Sequence, residues 1–276
     1  MAFRTINRAR LFLRDTGEPT AARSRRRPIV FVHGLLWNHT QWEHQVTHLR
    51  TDHRCVAYDH RGQGESEVPS APLVDLETLY FDLAGLIEGL EIGPCHVVGN
   101  SMGGAVAIRL AARRPDLVES LTLVGTTPEA ESPERRTRYR RMNLVARFLG
   151  PRPIAGRLMS MMFSEAFLQA PERAEERDHW RDVLLQNDRS IHRAVRGYLY
   201  RPAVTSELHH IEAPTRVVHA TDDAIVEMSN ARTLAAEIPD AEFRPVSESG
   251  HMLAMERPDE LNELLDHFLG SVERSR

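Results

Sequence analysis

The stretch "VVGNSMGGAVAI" (residues 97–108) places a single serine between a β-branched run and an alanine-rich one. Val97 and Val98 favour a strand, and the residues from Gly104 onward favour a helix. Ser101 therefore stands at a strand-to-helix junction, with Gly99 two residues before it and Gly103 two residues after. On a sharp turn of this kind, side chains at those two flanking positions would collide, so glycine is the workable residue. The turn predicts strained backbone at the serine and a hydroxyl lifted clear of the sheet edge. It also sets that hydroxyl at a helix N-terminus, where free N–H groups stabilise developing negative charge.

Working outward, "LFLRD" (11–15), "RPIVFVHG" (27–34) and "RCVAYD" (54–59) read as strands upstream of the junction. Trp42, Val46 and Leu49 recur at helical spacing within 40–50, and Leu76, Leu79, Leu83, Leu86, Ile87 and Leu90 do so within 75–90. Downstream, "GAVAIRLAARRP" (104–115) is a helix stopped by Pro115, and "VESLTLVG" (118–125) is another strand. Strands alternating with helices predict an α/β fold, a mostly parallel β-sheet flanked by helices on both faces. From Glu129 to Pro202 the pattern turns helical and rich in arginine and methionine. The strands "TRVVHA" (215–220) and "EFRPV" (242–246) then follow, with helices at 230–238 and 258–270. The expected organisation is a core of residues 1–128 and 203–276 with an inserted helical cap, 129–202, over the carboxyl ends of the strands. Ligands bind open α/β sheets at that edge.

The chain has 276 residues and a formal net charge of −4, and all 35 of its basic residues are arginine. This balance supplies no general basic field for nucleic acid. The basic runs at 23–27 and 134–141 read as solvated faces. Cys55 and Cys95 fall in apolar, strand-like segments, which predicts buried free thiols and fits a reducing compartment. No stretch approaches the roughly 18 apolar residues needed to cross a bilayer, and the N-terminus has no continuous apolar signal segment. The expectation is a soluble, cytoplasmic protein with no membrane or nucleic-acid partner and an undetermined oligomeric state.

The motifs "HGLL" (33–36), "DHRGQGES" (59–66), "GNSMGG" (99–104), "ATDDAIV" (220–226) and "SGHM" (249–252), in this order, resemble the α/β-hydrolase fold superfamily across nearly the whole chain. The resemblance implies Ser101 as nucleophile, His251 as base and Asp223 as the acid that orients it. These follow the chain order Ser, Asp, His. Asp222 and, less directly, Glu129 are the competing acids, and Ala220 replaces a glycine usual in the family. The oxyanion hole would be the backbone N–H groups of Leu35 and Met102, while His33, Asp59 and Arg61 would be architectural. Leu36, Trp37, Met159, Met162 and Phe163 are the candidate pocket residues. No metal site and no cofactor are expected.

The implied chemistry is acyl transfer to water from a small-molecule carboxylic ester or lactone with a small-to-medium hydrophobic group. Three alternatives stay open: carbon–carbon bond hydrolysis of ring-cleavage products, cofactor-free perhydrolase or haloperoxidase chemistry, and a ligand-binding receptor on the same fold.

Overall fold

The computed structural model describes residues 2–19 and 26–275. Eight strands form one sheet in the order β1-β2-β4-β3-β5-β6-β7-β8. They are β1 (Ala2–Ile6), β2 (Ala9–Asp15), β3 (Ile29–Val32), β4 (Cys55–Tyr58), β5 (Cys95–Asn100), β6 (Val118–Val124), β7 (Thr215–Ala220) and β8 (Ala241–Val246). β1 and β2 are antiparallel to their neighbours, and every pairing from β4 to β8 is parallel. Strands β3 to β7 are buried throughout or nearly so, as parallel strands covered on both faces must be.

The helices in chain order are α1 (Glu43–Leu49), α2 (Leu76–Gly89), α3 (Met102–Arg113), α4 (Pro133–Leu149), α5 (Ala155–Met162), α6 (Glu165–Gln169), α7 (Ala174–Leu185), α8 (His192–Leu199), α9 (Met228–Glu237), α10 (Leu253–Glu256) and α11 (Pro258–Arg274). Two apolar clusters cover the two faces of the sheet. The larger includes the inner faces of α2 and α3, and the other holds α1 and α11 against β3 and β4. Helices α4 to α8 are inserted between β6 and β7, a stretch without a strand. Gly197 on α8 touches the core so closely that a Cβ there would lie 1.8 Å from the Val74 carbonyl oxygen.

Strand β1 has no counterpart in the sequence reading. It pairs with β2 through a tight turn at Asn7 and Arg8, both at positive φ (45° and 61°), and neither residue is the glycine that usually announces such a turn. Of the basic run 23–27, residues 23–25 lie outside the described ones, and Arg26 and Arg27 form ion pairs with Glu273 and Glu119. Both cysteines are free and buried, and burial pushes each thiol up to about 12. No described helix is long and apolar enough to cross a membrane.

Candidate active site

Ser101 caps the N-terminus of α3 with φ 53° and ψ −116°, a left-handed conformation that a serine adopts only under constraint. The constraint comes from both sides. The Ser101 N–H donates to the Val124 carbonyl at 2.9 Å, and its own carbonyl accepts from Thr126 Oγ1 at 2.6 Å. The flanking glycines are required by contact, because a Cβ on Gly103 would lie 2.2 Å from the Val32 carbonyl oxygen. One on Gly99 would lie 2.7 Å from that of Gly103. Elbow, strand β3 and helix α3 are thus pressed together with no room for side chains.

His251 follows β8 and is 2% exposed; its Nδ1 lies 2.7 Å from Asp223 Oδ2. Asp223 follows β7. Its other oxygen accepts the backbone N–H groups of Ile225 (2.8 Å) and Val226 (2.9 Å). Burial alone would push the Asp223 carboxyl up, but His251 and these N–H donors together hold it below the usual aspartate range. Asp222, by contrast, points to solvent and takes a bond from Thr221. Glu129 is exposed and accepts from Thr205. Of the three carboxylates considered, only that of Asp223 meets the ring.

Ser101 and His251 face one open-mouthed cavity beneath the inserted helices, with about 840 Å³ of empty space when the solvent at its mouth is included. Leu35 and Leu36, after β3, also border it. The loop carrying them is fixed by side-chain amides. Gln41 Oε1 takes the Gly34 N–H at 2.9 Å, and Gln63 Oε1 takes the Leu36 N–H at 2.8 Å. Gln41 Nε2 donates in turn to Asn100 Oδ1 (2.8 Å), and Asn100 Nδ2 to the Val124 carbonyl (3.0 Å). Hydrogen bonds therefore tie this loop to the elbow, and among the described residues no acceptor takes the Leu35 N–H that lies between the two anchored ones. The Met102 N–H is the first of α3 and has no partner within the helix.

His33 is buried with both ring nitrogens on backbone: Nδ1 donates to the Gly34 carbonyl (2.7 Å), and Nε2 accepts the His60 N–H (2.9 Å). Burial and the neighbouring His60 drive its pKa down to about 3. Asp59 accepts from His39 and from the Glu65 N–H, and Arg61 pairs with Asp82. None of these residues borders the cavity.

The pocket candidates divide. Leu36, Trp37 and Met162 line the cavity, whereas Met159 and Phe163 do not. Phe163 instead stacks on Phe167 (centroids 4.6 Å) and meets Trp37 edge-on, and Met159 is buried in the core cluster. Lining residues that the sequence reading missed include Tyr139, Met142, Asn143 and Ala146 on α4, with Leu158 on α5; Met161, whose place in an apolar methionine-rich roof the sequence suggests, lines it too. The α4 set has helical i, i+3, i+4, i+7 spacing, a stripe of mixed polarity that hydrophobicity does not reveal.

Glu256 was also missed. Its buried carboxylate accepts from the N–H groups of Ser164 (3.2 Å) and Gly250 (3.0 Å) and from Ser164 Oγ (2.5 Å). It joins the residue before His251 to the N-cap of α6, and so joins the His251 loop to the inserted helices. Burial pushes this carboxyl up, while Ser164, Gly250 and Arg173 pull it back.

The profile of the alpha/beta hydrolase fold matches residues 27–258, and the chain belongs to that family. It is 31% identical over 249 residues to the Pantoea ananatis protein named carbamate hydrolase RutD, covering 87% of each chain. Among solved structures it is similar to a thermophilic esterase from Thermogutta terrifontis, at 29% identity and TM-score 0.87, covering 98% of both chains. It also resembles the enol-lactonase of Burkholderia xenovorans LB400, at 26% identity and TM-score 0.88, covering 98% of this chain and all of that one.

Proposed function

We propose that this protein is a serine hydrolase of carboxylic esters or lactones bearing a small-to-medium hydrophobic group. The observation that carries the reading is the strained Ser101 facing the same apolar cavity as His251, whose Nδ1 is engaged by Asp223. With Nδ1–H donating to the carboxylate, Nε2 is the basic nitrogen of the ring. Ser101 Oγ attacks the substrate carbonyl while its proton passes to His251 Nε2, and Asp223 stabilises the imidazolium that results. The negative charge formed on the carbonyl oxygen falls to the Leu35 and Met102 N–H groups and the N-terminus of α3. His251 then returns the proton to the departing alkoxide, and water cleaves the acyl-enzyme by the same route.

The roof supports an ester or lactone over the carbamate of the Pantoea relative's name. Leu158, Met161, Ile191 and Val195 present hydrocarbon, which rewards an apolar acyl or alkoxy group. The core of residues 1–128 and 203–276 would carry the chemistry and the 129–202 insertion the choice of substrate.

A fluorophosphonate probe tests the reading. It should label the protein once, at Ser101, and Ser101→Ala should abolish both label and p-nitrophenyl ester turnover with an unchanged unfolding transition. Turnover surviving in that variant would exclude the mechanism, and a folded wild type that neither labels nor turns over esters would favour a binding protein.

A further inference from the structure

At the opposite edge of the sheet, three side chains distant in sequence converge. His53 precedes β4, His96 is the second residue of β5, and Glu273 lies one residue from the end of α11. Their ligating atoms all lie within 4.8 Å of one another. The His53 side chain is 1% exposed, and its Nδ1 lies 2.8 Å from the Arg27 carbonyl. A carbonyl only accepts, so Nδ1 carries the hydrogen, and in the neutral ring Nε2 then presents a lone pair. That lone pair faces Glu273 Oε1 at 4.0 Å, too far for a hydrogen bond. Among the described residues neither atom has a hydrogen-bond partner. The other carboxylate oxygen is engaged by Arg26 at 3.3 Å. Two buried acceptors pointing at one another repel unless a positive centre lies between them.

We propose that His53, His96 and Glu273 form a site for a divalent metal ion of the zinc class, separate from the hydrolytic cavity. Two imidazoles and one carboxylate are the donor set that Zn²⁺, Co²⁺ and Ni²⁺ take, with water completing a tetrahedron. Metal–ligand bonds of about 2.0–2.1 Å place tetrahedral donors about 3.3 Å apart, so side-chain shifts of under about 1 Å close the site. Outer contacts that such ligands require are in place. Arg27 holds the His53 ring, and Ser120 Oγ lies 2.7 Å from His96 Nδ1. Ser101 follows the far end of β5, about 16 Å away at the rise of a strand, so the role is structural. The metal would clamp the end of α11 to the starts of β4 and β5.

The test uses full-length protein stripped of metal with a chelator and titrated with Co²⁺ alone. The expected result is one equivalent bound with the visible bands of a tetrahedral site, displaced by Zn²⁺, and a Zn²⁺-dependent rise in Tm. Glu273→Gln, a change at a partly exposed helix end, should abolish both signals, and His53→Gln should do the same. Ser120→Ala should weaken binding about 10-fold. Wild-type protein without stoichiometric bands, or bands that persist in Glu273→Gln, would overturn the proposal. The second outcome would assign the ion to other surface groups.

Discussion

The turn at Ser101 that opens α3 and the inward stripe of α4 border the same cavity, and the two helices are built on different terms. From Met102 to Ala112 every residue of α3 is buried, whereas Ala146 alone is buried among the seventeen residues of α4. Leu144, Phe148 and Leu149 of α4 stand exposed. The α3 backbone is set by contacts at Gly99 and Gly103 that admit no alternative, and this holds Ser101 in its strained conformation. The inward stripe of α4, Tyr139, Met142, Asn143 and Ala146, lines the cavity. On the proposed reading the chemistry would rest on a fully packed element, and the surface that would touch the substrate on a mostly exposed one.

Substitutions should grade accordingly. The largest effect belongs to the core side: Asp223→Asn should cut ester turnover by about 10⁴, as loss of the orienting carboxylate does in serine proteases, with the fold intact by circular dichroism. A comparable loss from Asp222→Asn instead would reassign the acid. Because the Asp223 carboxyl is held low in the folded protein, it contributes stability above the ordinary aspartate value of about 3.9. That contribution is lost as pH falls through the folded value. The denaturant midpoints of wild type and Asp223→Asn should therefore converge on acidification.

Glu256 joins the two regions and should give an intermediate effect. Glu256→Gln leaves buried N–H donors of Ser164 and Gly250 without a full set of acceptors, costing about 1–3 kcal/mol of stability by urea unfolding. It should also slow fluorophosphonate labelling, since Gly250 adjoins His251. A labelling rate equal to wild type would make Glu256 a purely structural clasp.

The smallest effects belong to α4. Met142→Ala should shift the preferred acyl chain of nitrophenyl esters towards longer members by about 1 kcal/mol in relative kcat/KM, without changing the rate of labelling by a small probe. If every chain length slowed equally, α4 would be part of the rigid frame after all.

The sharp turn at Ser101, the alternation of strands and helices and the helical stretch between β6 and β7 were legible because each rests on neighbours in sequence: a glycine pair, an alternation, a period. The β1–β2 hairpin was not, because its turn uses Asn7 and Arg8. Met159 and Phe163 were misplaced for a related reason. Helical positions turn by about 100° per residue, so "MSMMF" (159–163) has residues on opposite sides. Leu158, Met161 and Met162 line the cavity, while Met159 and Phe163 do not and are buried in packing. Gln41, Gln63 and Glu256 left no trace, since a glutamine or glutamate acquires its role only from a partner brought close by folding.

What local order alone determined was the sharp turn at the serine, because the exclusion between residues 99 and 103 acts over five residues of chain, whereas the Val32 carbonyl that excludes a side chain at Gly103 came only with the fold. Only the tertiary structure decided which carboxylate meets His251, which amides anchor the Leu35 loop and which cap side chains see the cavity. The bonds that fix the loop and the ring join residues 7, 27, 28 and 59 positions apart, and hydrogen-bond geometry at 2.7–3.2 Å is set by the packing of whole elements.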